Sequence, residues 1–434
     1  MDKRVVVTGV GIVSPLGIGA KANWEALLAG QCGLGTITQF SPDGFACKVG
    51  GQVPSYKIND NVPKSYRKAT KVMARDIELA VIAADDAFKN ASILSQAYTD
   101  TPTITPARFG CNIGAGLICC ELNELTNALD VSRDSPGSTT FDLKKWGTDG
   151  MSQLTPLWLL KYLPNMLACH VTIIHGLMGP SNTITCAEAS SHLAIGEAFR
   201  TIQRGKADMA ICGGAESKLN PMGMVRQSLL KRLNETGAAA DQTVRPFETG
   251  AAGTAISEGG GLLILEEYEH AKARGANILC ELVGFAASQD AYSTTEPDPT
   301  GASHAAAIKN ALRDAGATAN DVDLIVPHGL GIASHDAAEM EGLSKALGSR
   351  VGEVMFSPVK AQIGNCAAGC GADAAFAVLA VANQVAPPAK NTLAGKTTIP
   401  LNVSTQARPA KIRHAISTAF SIGGQNAALV FRAV

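Results

Sequence analysis

The 434-residue chain lacks the features that would tie it to a charged polymer or a membrane. Its 37 Lys and Arg balance 38 Asp and Glu, so no global charge draws it to nucleic acid, and an acidic partner must be met by a local patch. No apolar run is long enough to span a bilayer. The opening MDKRVVVTGVGIVSPLG begins a strand at once, without the apolar stretch and cleavage site of a signal peptide, and a cytoplasmic location is expected. Aromatics are few, at 5%. There is no Cys-x-x-Cys pair. The eleven cysteines (Cys32, Cys47, Cys111, Cys119, Cys120, Cys169, Cys186, Cys212, Cys280, Cys366 and Cys370) are odd in number and scattered, as reduced core thiols are. Cys366 and Cys370 have no histidine near them in sequence, so no metal site is expected.

What is present is 46% hydrophobic residues and 44 glycines, the composition of an Ala/Gly/Val-rich α/β protein large enough for two or more domains or one duplicated architecture. Largely apolar strands are expected at Arg4 to Thr8, Phe109 to Ile113, Met209 to Gly213, Leu262 to Leu265, Leu324 to Pro327 and Ala415 to Ala419. Helices are expected between them at Lys71 to Asn90, Ala187 to Arg204, Ser303 to Ala315, Asp336 to Leu347 and Ala368 to Val385. Such alternation argues for α/β layering. The less periodic stretch of about 95 to 165 reads as an insertion of loops and short helices. The glycines of Gly9-Val10-Gly11-Ile12-Val13-Ser14 resemble a dinucleotide fingerprint, but serine holds the third glycine position and Pro15 follows. A turn after the first strand is the better reading, and no cofactor is expected.

The most informative segment is SNTITCAEASSHLAIGEAF, residues 181–199. Its β-branched run leads through Cys186 directly into a small-residue helix, which puts Cys186 at a helix N-terminus, where free N–H groups and the dipole lower a thiol pKa. Taken alone, Cys186 also reads as one more small core residue. A similar strand, turn and small-residue helix recurs at VMFSPVKAQIGNCAAGCGADAAFAVLA, as in a duplicated fold. Three further segments place a polar or glycine-bearing turn after an apolar strand: His328 in IVPHGLGIASHDAAE, Lys360 and Asn365 in SPVKAQIGN, and the turn Phe420 to Asn426 in STAFSIGGQN. Each has an ordinary structural reading. Together they supply a thiolate, donors to a thioester oxygen and a backbone oxyanion hole, the parts acyl transfer needs.

These segments, with HGLMGPSNTITCAEAS, GKADMAICGGAES, VRPFETG, SEGGGLLILEEYEHAKARGA and SIGGQNAALVF, make the chain similar, essentially end to end, to the elongating β-ketoacyl-acyl carrier protein synthases of the thiolase superfamily. The resemblance implies a thiolase fold, two βαβαβαββ halves in a five-layer αβαβα arrangement. Residues 1–270 would carry Cys186, and residues 271–434 would carry His328, Lys360 and Asn365. It implies a homodimer, or a heterodimer with another ketosynthase, and an acyl carrier protein as partner. Cys186 would take the acyl chain from a phosphopantetheine thioester, His328 would contact the extender thioester, and Lys360 would organise the site. The N–H groups of Cys186 and Ile422 would bind the oxyanion, with Phe420 and Gly423 in the same gate turn. Lys64, Arg67, Lys68 and Lys71 resemble the family's basic docking strip, though they also read as a solvated helix start.

Departures from the family gather at the site. Asn365 stands where the second histidine belongs, giving a Cys-His-Asn set like that of chain-initiating ketosynthases. Leu330 and Ile332 replace two threonines that would hold a pantetheine arm, and Ile422 replaces a gating phenylalanine. Glu188 brings a charge two residues after the nucleophile, and the family's glutamate after the lysine falls on Ala374, with Asp373 beside it. The expected activity is decarboxylative condensation with a malonyl-type extender in a specialised fatty acid or polyketide pathway. The alternatives are non-decarboxylating or thiolase-like acyl transfer, and a non-catalytic acyl-binding partner.

Overall fold

A computed structural model describes residues 2–434. Ten strands form the main sheet path: β1 (Val5–Ser14), β2 (Phe109–Gly114), β3 (Ser181–Ile184), β4 (Met209–Ser217), β5 (Ile256–Glu267), β6 (Cys280–Gln289), β7 (Leu324–Val326), β8 (Met355–Phe356), β9 (His414–Phe420) and β10 (Gln425–Arg432). Their spatial order is β8-β7-β9-β10-β6-β1-β5-β4-β2-β3. Outward from the junction of β1 with β6, both arms therefore follow one order, with the first strand of the half followed by its fifth, fourth, second and third. The halves meet where Val5–Val7 pair antiparallel with Leu282–Cys280.

Alternation along the strands builds the layers. Leu262 and Ile264 of β5 face Ile77, Ala80 and Phe88 of helix α1 (Arg75–Asn90), whereas Leu263 and Leu265 join Ile195 and Phe199 of α2 (Ser190–Gln203). In the second half, Ala428 and Val430 of β10 face Ile308 of α3 (Ala302–Asp314) and Leu343 of α4 (Ala333–Leu347). Leu429 and Phe431 point the other way, into the cluster that holds α2 and Phe376 of α5 (Gly371–Asn383). Helix, sheet, helix, sheet, helix is the five-layer thiolase arrangement. Its central layer is α2 and α5, the two helices that follow Cys186 and Lys360.

The glycine cluster near the N-terminus lies inside β1, which runs on to Ser14, so the turn expected after Thr8 is not there. A β-carbon on Gly11 would sit 1.9 Å from the Ala83 carbonyl oxygen of α1. Close helix approach, and no nucleotide, accounts for that glycine. Several helices begin later than expected: Lys71 lies in a 3-10 turn (Ala69–Val72) ahead of α1, and 3-10 turns over Ala187–Ala189 and Ala367–Cys370 precede α2 and α5. Within residues 95–165, β2 is a buried core strand, followed by the helix Leu122–Val131 and short turns that leave Leu117, Leu143, Leu157 and Leu159 exposed. Strand β3 is the outer edge of its arm, with Ser181 and Asn182 exposed. No described helix is long and apolar enough to cross a membrane.

Candidate active site

The nucleophile candidate sits on a sharp corner. β3 ends at Ile184, Cys186 is partly buried, and Ala187 takes φ +43° before the 3-10 turn that opens α2. The second half repeats the device: Asn365 bridges Ile256 of β5, Cys366 follows, and Ala367 takes φ +47°. A positive φ on a residue with a β-carbon costs about 1 kcal/mol or more, and here the strain is held by packing at the junction of strand and helix. The Cys186 N–H donates to Ser190 Oγ at 2.7 Å, and that hydroxyl donates to the Ala187 carbonyl at 2.7 Å. The N–H expected in the oxyanion hole is therefore engaged by Ser190. Burial pushes the Cys186 thiol up from its ordinary pKa, contrary to the lowering expected from the helix end.

His328 follows β7 and is fully buried. Its main chain is tied to the start of α4: the N–H groups of His328 and Gly329 donate to Glu339 at 2.8 and 2.9 Å, and those of Leu330 and Gly331 donate to Asp336 at 3.0 Å each. The imidazole itself is left free, with no hydrogen-bond partner on either nitrogen. Its ring centroid lies 4.8 Å from that of Phe420. Burial first, and then the Lys360 cation, hold the imidazole well below its ordinary pKa. A neutral ring offers one N–H donor and one lone pair. In a histidine NMR titration, His328 should stay neutral as the pH falls from 8 through its unfolded value of about 6.5, with protonation only at lower pH. A midpoint at or above 6.5 would contradict this reading.

Lys360 is fully buried and forms an ion pair with Asp373 of α5. Burial opposes its charge, but the Asp373 carboxylate outweighs that penalty and keeps Lys360 cationic. Asp373 thus takes the acidic partner's place that the resemblance puts at Ala374. The ligand atoms of His328, Cys370 and Asp373 lie within 4.8 Å of one another. The Lys360 ammonium already occupies the carboxylate, and its charge repels a metal ion there.

The amide of Asn365 is partly engaged. Its Nδ2 donates to Glu188 Oε1 at 3.1 Å and its Oδ1 accepts from the Ala367 N–H at 2.9 Å. The bond to Glu188 uses one of the two N–H groups of the amide, and the second has no partner among the described residues. Glu188, 1% exposed, also pairs with the buried Arg232, whose Nη2 lies 2.7 Å from Oε1. Burial opposes ionisation of Glu188, but Arg232 and the Asn365 amide hold its carboxyl well below the usual range. The charge two residues after the nucleophile is thus directed at a guanidinium, and Glu188 links the Cys186 turn to Asn365. Sequence reasoning noticed Glu188 but missed Arg232, because LLKRLNE reads as a polar loop after a helix and nothing in it signals a buried partner.

The gate turn follows β9. Phe420 meets His328 edge to face and stacks on His335, Ile422 and Gly423 are partly buried, and the Ile422 N–H has no partner among the described residues. Lys64, Arg67, Lys68 and Lys71 lie apart from this centre, all exposed, on consecutive 3-10 turns and in no salt bridge among the described residues. Tyr66, between them, is anchored through its hydroxyl to His170 at 2.9 Å.

The family described as "Beta-ketoacyl synthase, N-terminal domain" matches residues 2–271, and "Beta-ketoacyl synthase, C-terminal domain" matches residues 279–392. The 3-oxoacyl-[acyl-carrier-protein] synthase 2 of Vibrio harveyi is 32% identical over 435 residues, covering 100% of this chain and 99% of that one. Two solved structures superimpose over the full length of both chains at 26% identity: the ishigamide ketosynthase/chain length factor, with a TM-score of 0.85, and a type II PKS acyl-carrier protein in complex with its ketosynthase bound to the hexaketide, with a TM-score of 0.83.

Proposed function

We propose, on the premise that the chain belongs to the β-ketoacyl synthase family, that it accepts an acyl group on Cys186 and condenses it with a malonyl-type extender carried on an acyl carrier protein. The observation that carries this reading is the buried, unpartnered imidazole of His328 beside the Lys360–Asp373 pair. A structural histidine in so dry a place would be hydrogen-bonded. This one keeps a donor for a ligand oxygen. In this reading residues 1–270 supply the nucleophile, residues 271–434 supply His328, Lys360 and Asn365, and the set is Cys-His-Asn. Ile422 supplies an oxyanion N–H, and Ser190 must release the Cys186 N–H for it to join. The exposed edge of β3 and the exposed leucines beyond β2 fit a dimer that buries them.

The competing reading, acyl transfer without decarboxylation, is favoured by one observation: one N–H of the Asn365 amide is already given to Glu188. Incubation with acyl- and malonyl-carrier thioesters separates the two. Condensation gives a β-ketoacyl carrier two carbons longer than the acyl donor, and simple transfer gives an unchanged acyl chain on a new carrier.

Carrier recognition is assigned to the exposed Lys64, Arg67, Lys68 and Lys71. Because the whole chain is nearly neutral, attraction of an acidic carrier must be local. Charge reversal at Arg67 and Lys68 should raise the KM for a carrier-bound substrate about tenfold at low salt and flatten its salt dependence. An unchanged KM would move the docking face elsewhere or replace the carrier with coenzyme A.

A further inference from the structure

Asn365, in the place of the family's second histidine, is tied to Glu188, and Glu188 also pairs with another buried donor. Arg232 is 3% exposed and lies just after the helix Pro221–Leu229. Its carbonyl accepts the Thr254 N–H at 2.8 Å, and its Nη1 donates to Gln227 Oε1 at 3.3 Å. Nη2 forms the ion pair with Glu188, but without the alignment of a hydrogen bond. Neither it nor Nε has an aligned acceptor in the chain. Glu188 Oε2 and both ring nitrogens of His328 are also without partners. Buried polar atoms are nearly always satisfied, so this concentration of unmatched donors and acceptors around the Glu188–Arg232 pair marks a place built to receive a polar group of a ligand.

We propose that Arg232 is a catalytic residue of the condensation, donating together with His328 to the extender oxygen on which negative charge collects. This inference rests on the condensing function proposed above. When the malonyl thioester loses its carboxylate, the bond from the α-carbon to the carboxylate breaks, carbon dioxide leaves, and the electron pair delocalises onto the thioester oxygen. The resulting carbon nucleophile attacks the acyl carbonyl on Cys186. The carbon–sulfur bond of the acyl-enzyme then breaks, its pair stays on sulfur, and the thiolate takes a proton from water.

Neutral His328 and the amide of Asn365 supply no positive charge for the enolate. A guanidinium is cationic at every working pH and keeps its donors in a fixed fork. Glu188 balances that charge before the extender enters. Asn365 becomes a positioning residue that fixes the Glu188 carboxylate.

The test uses the full-length protein and measures two half-reactions separately: acylation of Cys186 by intact mass, and carbon dioxide release from malonyl-carrier protein. Arg232→Met should slow carbon dioxide release about a hundredfold or more while acylation persists, and Arg232→Lys should lose less. The decisive variant combines Arg232→Met with Glu188→Gln, which removes both charges. The proposal requires it to be as slow as Arg232→Met alone. Recovery toward the wild-type rate would show that Arg232 only neutralises Glu188, and would overturn the proposal. So would equal loss of both half-reactions in every variant, which is the signature of a structural role. A wild type that releases carbon dioxide, with Arg232→Met equally fast, overturns this inference alone. A wild type that releases none overturns the condensing function as well.

Discussion

Replacing Cys186 with alanine should abolish acyl loading altogether. The wild-type chain should gain the mass of one acyl group on exposure to an acyl donor, and the variant should gain none. The expectation rests on placement more than on acidity. Eleven cysteines compete for the role, but most are buried; Cys366 stands at the equivalent strained corner of the second half and is fully buried, whereas Cys186 at its own corner is only partly buried. Burial pushes its thiol up, so loading should keep accelerating as the pH rises through and past the thiol's ordinary range. An acyl group found on a peptide carrying another cysteine would refute the assignment.

The two halves of the fold were legible in the sequence where apolar runs are continuous. β2, β4, β5 and β9 cover the apolar stretches expected to be strands, and β7 ends one residue short of the expected Pro327, because buried strands show an uninterrupted hydrophobic signal. β6 was not foreseen. CELVGFAASQ mixes small, polar and apolar residues, and the strand is defined by pairing with β1 and β10 from both sides. That is long-range information no local window holds. The late starts of α2 and α5 have a different cause: Ala187–Ala189 and Ala367–Cys370 have helical propensity, but a tight turn is needed there to bring each strand end around to its helix.

The site was legible as a set of residue types and much less so as a network. Cys186, His328, Lys360 and Phe420 could be picked out by position after strands. Asp373 could not be chosen over its neighbours until the turn of α5 aimed it at Lys360. Arg232 left no trace because its burial is created by Glu188, a residue that resemblance marked only as a departure. The glycine signal near the N-terminus misled for the opposite reason. Close packing of α1 on β1 calls for the same residue as a phosphate-binding turn does.

His328→Ala carries the second large effect. The imidazole is buried beside the Lys360–Asp373 pair with no internal partner, and removing such a donor typically raises the barrier by about 3 kcal/mol, or roughly a hundredfold in rate. Product formation should fall by that factor or more. Cys186 should still be acylated, because the Cys186 turn is held by Ser190 and its own helix. If self-acylation falls as far as product formation, His328 activates the cysteine and its role has been misplaced.

The central claim is that one chain both holds the acyl group and condenses it. A single-turnover experiment tests this most directly: the protein is acylated on Cys186, freed of excess donor, and mixed with malonyl-carrier protein, while enzyme mass, carrier mass and carbon dioxide are followed together. The account predicts that the acyl mass leaves the enzyme as one carbon dioxide is released per acyl group, and that the carrier ends with a β-ketoacyl chain two carbons longer than the group loaded. Loss of the acyl group with no carbon dioxide, or an acyl-enzyme that persists unchanged in the presence of the malonyl carrier, would contradict it.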